Sequence, residues 1–203
     1  MPIVALIDYG MGNLGSMRRA LEECGAQVVL VTSAEELQGI THIVLPGVGS
    51  FFSATSSLEN RGFSLKIREV VEEQQIPLLG VCLGMQLLAS WGDEGGGKKG
   101  LNLIPGQVVP FEKNIDRIPH VGWNEVLVNK TSRLLDGIIS GTDFYFVHSY
   151  HFVVDVLENA TGVTPYCGGF NSIVEKGNIF GTQFHPEKSQ RAGFQLLRNF
   201  LEI

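Results

Sequence analysis

Over the first eighty residues, short apolar, β-branched runs alternate with stretches of helical periodicity. Residues 2–7, 27–31, 42–46 and 76–81 read as strands, and residues 16–24 and 58–73 as helices. Strands joined by helix-length connections cannot pair as simple hairpins, so this alternation predicts βαβ units around a parallel sheet. After residue 100 the pattern changes. Strand candidates around Val108, Val126, Phe146, Val153 and Ile173 follow one another closely, several separated by Gly, Asn or Pro turns, which predicts an antiparallel or mixed extension. From Gln190 onward, Ala192, Leu196, Leu197, Phe200 and Leu201 fall near one helical face, so an amphipathic helix should close the fold. With 203 residues, 44% of them hydrophobic, the chain can bury one good core rather than two. The expectation is a single α/β domain over residues 1–203, with a mostly parallel central sheet flanked by helices and an antiparallel extension.

Several function classes are excluded early. Apolar runs such as residues 76–81 end far short of the ~20 residues needed to cross a bilayer, and no basic leader or cleavage site precedes Asp8. A soluble, cytoplasmic protein with no membrane partner is expected. The net charge is −6 and the lysines and arginines are scattered, which argues against nucleic acid as a partner. The three cysteines, Cys24, Cys82 and Cys167, are odd in number and widely spaced, which suits neither a disulfide framework nor a structural zinc site. No metal and no cofactor is predicted. Residues 93–100, Asp-Glu-Gly-Gly-Gly-Lys-Lys-Gly, are too glycine-rich to hold regular structure and read as an exposed, mobile loop.

Two patterns carry chemistry. Gly80-Val81-Cys82-Leu83-Gly84 lies between an apolar run of strand length and the helix formers of residues 85–90. It is a cysteine version of the strand-to-helix elbow that presents a nucleophile, with glycines where neighbouring backbone comes close. Cys82 would sit at a helix N-terminus, where unpaired N–H groups favour a thiolate. A lone cysteine among leucines is ordinarily a core residue, but Gly-x-Cys-x-Gly fills a core poorly and presents a side chain well. The second pattern is the run 179–187, which ends Gln183-Phe184-His185-Pro186-Glu187. Alternation puts Ile179, Gly181, Gln183 and His185 on one face, and Pro186 ends the strand with His185 at its carboxyl edge, where open α/β sheets bind ligands. A histidine at a strand end is usually a bystander. Here Glu187 is placed to orient it and an elbow cysteine is available, which reverses that reading toward a Cys-His-Glu triad.

Together, Gly80-Val81-Cys82-Leu83-Gly84-Met85-Gln86 and Phe184-His185-Pro186-Glu187 closely resemble the class I (triad) glutamine amidotransferases, whose fold is flavodoxin-like. Leu45-Pro46-Gly47-Val48-Gly49 resembles their oxyanion-strand loop. Within that group the chain is similar, essentially from end to end, to the glutaminase subunits of imidazole glycerol phosphate synthases. The residues that carry this are 7–14 (Ile-Asp-Tyr-Gly-Met-Gly-Asn-Leu), 119–124 (Pro-His-Val-Gly-Trp-Asn) and 146–150 (Phe-Val-His-Ser-Tyr). The resemblance implies that Cys82, His185 and Glu187 hydrolyse L-glutamine through a thioester. It implies that Gly47, Val48, Gly49 and Leu83 supply oxyanion donors, and that Gln86, Glu94, His148, Ser149 and Tyr150 line the glutamine pocket. It also implies a heterodimer with a (β/α)8-barrel cyclase that receives the ammonia, docked through a face including Asn13, Trp123, Asn124, Tyr145 and Lys188. Each interface residue also has a bland reading: Trp123 and Tyr145 as core aromatics, Lys188 as an ordinary surface lysine.

Competing readings are distinguishable. Gly10-Met11-Gly12-Asn13-Leu14-Gly15 matches a dinucleotide fingerprint, but the strand at 27–31 is followed by Thr32-Ser33-Ala34 where a ribose-binding acid belongs. A tight turn at a partner-facing edge accounts for those glycines. A paralogous triad subunit feeding another synthase, such as one amidating a polysaccharide sugar, would carry the same motifs. A silent scaffold would have no need of the three triad residues together. A cysteine hydrolase unrelated to glutamine would resist labelling by glutamine analogues.

Overall fold

The computed structural model describes residues 1–112 and 116–203. The first half is built from β1 (Ile3–Ile7), α1 (Leu14–Glu23), β2 (Gln27–Val31), β3 (His42–Leu45), α2 (Phe51–Asn60), α3 (Phe63–Glu72), β4 (Leu78–Val81) and the single-turn α4 (Leu83–Gln86). The second half adds β5 (Trp91–Gly92), β6 (Lys98–Lys99), β7 (Gly106–Pro110), β8 (His120–Val128), β9 (Thr142–His148), β10 (Tyr150–Val154), β11 (Ala160–Thr164), β12 (Phe170–Lys176), β13 (Ile179–Thr182) and α5 (Gln190–Leu201).

The main sheet runs β2-β1-β3-β4-β13-β12-β10-β7-β5-β6. The first five strands are mutually parallel, and β13, β12, β10 and β7 then pair antiparallel. β11 pairs with both β12 and β8, and β8 forms a long hairpin with β9. The parallel half with an antiparallel extension matches the sequence expectation. Strand alternation divides the core into two layers. Ala5 and Ile7 of β1 pack with Phe51, Leu58, Phe63, Ile67 and Val70 of α2 and α3, whereas Val4 and Leu6 pack with Met17 and Leu21 of α1 and with Leu196, Leu197 and Phe200 of α5. Each fully buried Leu or Phe in these layers contributes roughly 1.5–3 kcal/mol through removal of apolar surface from water. Helices therefore cover both faces, and only the strand ends remain for chemistry.

Four local expectations are corrected. The helix read over residues 58–73 is two helices, because Gly62 adopts a left-handed conformation (φ 73°) between α2 and α3. The helix formers at 85–90 do not extend α4 past Gln86. The carbonyls of Leu87, Leu88 and Ala89 accept instead from the amides of Leu101, Leu103 and Asn102, so tertiary pairing overrides local propensity. Residues 93–100 are not simply a mobile loop: Lys98–Lys99 pairs with Trp91–Gly92, Lys98 Nζ is 2.7 Å from Glu59 Oε2, and Glu94 Oε2 accepts from the Phe51 amide at 2.8 Å. Finally, β13 ends at Thr182, so His185 stands in the turn beyond the strand rather than on it.

Candidate active site

Three loops converge at the carboxyl edge of the parallel strands. β4 lies between β3 and β13, with Gly80 beside Leu45 on one flank and Val81 beside Thr182 on the other. The chain beyond each strand therefore meets at one place: residues 46–49, the elbow at Cys82, and residues 183–187. Cys82 has φ 55° and ψ −111°, a strained conformation for a residue with a side chain, and its amide donates to Thr182 O at 2.8 Å. The flanking glycines are required by close backbone approach. A Cβ on Gly80 would lie 2.6 Å from Gly84 O, and one on Gly84 only 1.8 Å from Leu45 O. The elbow is thus pressed against the end of β3, and that contact sets the distance between Cys82 and the 46–49 loop.

His185 and Glu187 form a buried pair, with His185 Nδ1 2.9 Å from Glu187 Oε1 and both side chains nearly inaccessible. Their turn is fixed at several points. His185 N donates to Tyr145 O at 2.9 Å, Tyr145 N donates to Ser189 Oγ at 3.0 Å, and Ser189 Oγ donates to His185 O at 2.6 Å. Gly193 of α5 packs so tightly on Pro186 that a Cβ there would meet Pro186 O at 1.9 Å. With Nδ1 bound to the carboxylate, Nε2 is the nitrogen left over, and it is buried with no hydrogen-bond partner among the described residues. Burial alone would push the imidazole pKa down. The neighbouring Cys82 sulfur and the Glu187 carboxylate outweigh it and raise the pKa to about 10, so His185 holds a proton at neutral pH.

These groups open onto a cavity of about 310 Å³ lined by Val48, Gly49, Cys82, Leu83, Gln86, Glu94, His148, Ser149, Tyr150 and His185, together with Pro119 and Val147. The volume suits a small-molecule ligand. All of the predicted pocket residues reach this wall except Gly47, which sits behind it. Its α-carbon faces the Tyr9 hydroxyl, where a Cβ would come within 2.4 Å, and Tyr9 Oη donates to Pro46 O at 2.9 Å. Glu94 contributes to the wall with one oxygen already engaged by Phe51 N. His148 is held neutral: burial and its neighbours lower its pKa to about 3, its Nδ1 lies 2.8 Å from Tyr150 O, and its Nε2 lies 3.0 Å from His120 Nδ1.

Sequence reasoning did not assign roles to Pro119, Val147, Tyr9, His120 or Gln183. Gln183 left a signal, since alternation placed it on the same face as His185. Of the interface residues, Trp123, Tyr145 and Lys188 form one surface cluster. Trp123 is 47% exposed, its ring stands edge-on to Tyr145 at 6.0 Å, and Lys188 Nζ lies 5.7 Å over the Tyr145 ring. Trp123 is therefore not a core aromatic. Asn124 instead turns its amide inward, 3.3 Å from His120 Nε2 and onto Glu125 N. Asn13 is exposed in the turn entering α1.

Comparison with known proteins decides the family. Residues 5–203 match the class-I glutamine amidotransferase family. The chain belongs to it. This amidotransferase is 46% identical over 200 residues to imidazole glycerol phosphate synthase subunit HisH of Moorella thermoacetica, covering 98% of this chain and 94% of that one. It is 42% identical over 201 residues to the HisH subunit of Archaeoglobus fulgidus, covering 99% and 98%. Its fold is that of the solved structure of PurLQS from Thermotoga maritima, with a TM-score of 0.78 at 17% identity over 99% of this chain and 98% of that one. Among the described residues, no helix is long and apolar enough to cross a membrane.

Proposed function

We propose that this amidotransferase is the glutaminase subunit of an imidazole glycerol phosphate synthase and works in the cytoplasm in histidine biosynthesis. Cys82 attacks the side-chain amide carbon of L-glutamine, and His185, already protonated, gives its proton to the departing ammonia. The glutamyl thioester is then hydrolysed by a water that His185 deprotonates; the C–S bond breaks, glutamate leaves and the Cys82 thiolate is regenerated. Glu187 fixes the imidazole tautomer and stabilises its charged form. Backbone N–H groups of the 47–49 loop and of Leu83 hold the tetrahedral oxyanion, each donor contributing roughly 3 kcal/mol. Gln86, Glu94, His148, Ser149 and Tyr150 bind the amino-acid end of the substrate.

The observation that carries this reading is the buried His185–Glu187 pair beside a cysteine on a strained elbow, in a cavity of amino-acid size. Ammonia released into water is protonated and ceases to be a nucleophile, so a subunit of this kind must deliver it to a docked synthase. The partner is a (β/α)8-barrel cyclase, joined as a heterodimer through the face carrying Trp123, Tyr145 and Lys188, to which the proposal adds Asn13 and Asn124. Glutamate release should rise steeply when a cyclase barrel and its nucleotide ligand are added to this chain, and the rise should vanish in Cys82→Ala. A barrel that neither binds nor stimulates, while Cys82 still reacts with an electrophilic glutamine analogue, would assign the subunit to another acceptor, such as a sugar-amidating synthase.

A further inference from the structure

Gln183 is fully buried between the nucleophile and the glutamine pocket. Its side-chain Nε2 lies 3.8 Å from the Cys82 sulfur, and its Oε1 lies 3.0 Å from Gln86 Nε2. One carbonyl fixes which end of each amide carries the protons. Gln86 Nε2 is also 3.0 Å from Tyr150 O, a group that can only accept. Both N–H bonds of Gln86 are therefore used, one on Tyr150 O and one on Gln183 Oε1, and its oxygen is left for the cavity it lines. Gln183 Oε1 must then be the acceptor, which turns the Gln183 NH2 group toward the sulfur.

We propose that Gln183 is a catalytic residue of the glutaminase reaction: its side-chain N–H donates to the Cys82 sulfur and favours the attacking anion, while its carbonyl locks the Gln86 amide for substrate. A hydrogen bond donated to a charged form stabilises that form. The contact opposes that of Val147 O, which lies 3.8 Å from the sulfur on another side and, as an acceptor, favours the S–H form. Among the described residues, the other titratable groups of the site are His185 with Glu187 in the turn after β13, Tyr9 after β1, His148 at the end of β9, and Glu94 and Tyr150 on the cavity wall. Burial keeps Tyr9 and His148 neutral. Gln183 thus supplies a fixed neutral donor beside the one cationic side chain in this group, His185. Because Gln86 bridges Gln183 and Tyr150, the same side chain couples the nucleophile to the residues that grip the amino acid.

This inference rests on the proposed function, and the test separates the two. Gln183→Glu keeps the size and the acceptor for Gln86 but places a second oxygen at the sulfur. Gln183→Leu removes donor and acceptor together. Iodoacetamide alkylation of Cys82, followed by peptide mass spectrometry as a function of pH with Cys82→Ala as blank, reads the sulfur directly, and kcat and KM for glutamine are measured in parallel. Loss of a hydrogen bond to a charged group predicts a 10- to 100-fold slower alkylation near neutral pH and an upward move of the profile by about one to two pH units. In Gln183→Glu, kcat falls in step; in Gln183→Leu, KM rises as well, because Gln86 loses its lock. Alkylation profiles that superimpose on wild type, with kcat within about threefold, would reduce Gln183 to a space-filling residue. Should the leucine variant fail to fold, the glutamate variant decides. Wild-type protein that does not hydrolyse glutamine would instead overturn the functional reading itself.

Discussion

Gly84→Ala tests whether the contact between elbow and β3 sets the geometry of catalysis. The added methyl would sit 1.8 Å from Leu45 O and 2.8 Å from Leu45 C, and both obstacles are backbone rather than a side chain able to rotate away. Restoring even a tight separation of 3.0 Å requires the end of β3 and the elbow to part by about 1.2 Å. Leu45 leads directly into residues 46–49, so Val48 and Gly49 would move by a similar amount relative to Cys82. Overpacking of this kind typically costs about 1–3 kcal/mol of stability. A misplacement near 1 Å costs on the order of 100-fold in rate. The assay is steady-state glutamate release alongside urea denaturation, so that the loss of rate can be separated from loss of folded protein. The expected result is a folded variant, destabilised within that range, with kcat down about 100-fold and a smaller change in KM. A variant with wild-type kcat and stability would refute the claim that close approach at Gly84 positions the loop.

Glu187→Gln should lower kcat by about 100-fold or more while the protein stays folded, because an uncharged amide no longer supports the imidazolium; glutaminase kinetics across pH check it, and an unchanged kcat would contradict the triad. Gly15→Ala, at an exposed helical position of α1 with nothing within 4 Å of the new methyl, should raise stability by about 0.5–1 kcal/mol and leave basal glutaminase rate alone, as read by urea melts. Burial lowers the His120 pKa to about 4 and the His148 pKa to about 3, below the ordinary value of 6.5. Their contribution is therefore complete above about pH 6.5 and is lost as pH falls toward these folded values, less than additively for the coupled pair. His185, raised to about 10, has the opposite sense, contributing below pH 6.5 and losing its share as pH rises through about 10. Denaturation midpoints that do not fall between about pH 6.5 and pH 4, or that fall equally in His148→Gln, would contradict the histidine assignment.

The parallel half of the sheet and the elbow were legible because their determinants are local. Buried parallel strands read as apolar runs, and Gly80 and Gly84 mark where backbone crowds Cys82. The end of β13, the early stop of α4 and the β5–β6 pairing were not, since each depends on partners distant in sequence: Ser172 O for Gln183, Leu101 to Leu103 for Leu87 to Ala89, and α2 for Glu94 and Lys98. β11 was missed for a related reason, as its Thr-Gly-Val stretch has weak alternation and is held by pairing with β12 and β8. At the site, sequence patterns identified residues whose chemistry is conspicuous. They left out Gln183, Tyr9 and His120, neutral or polar side chains whose importance comes from what they touch.

Glutamine hydrolysis by this chain is expected to pass through a covalent glutamyl thioester on Cys82. Protein mixed with glutamine, quenched in acid within the first turnovers and digested, should yield a peptide containing Cys82 heavier by one glutamyl group, absent in Cys82→Ala and diminished when His185 is replaced, because expulsion of ammonia needs its proton. A Cys82 peptide that remains unmodified under conditions where the same sample releases glutamate would contradict covalent catalysis by Cys82.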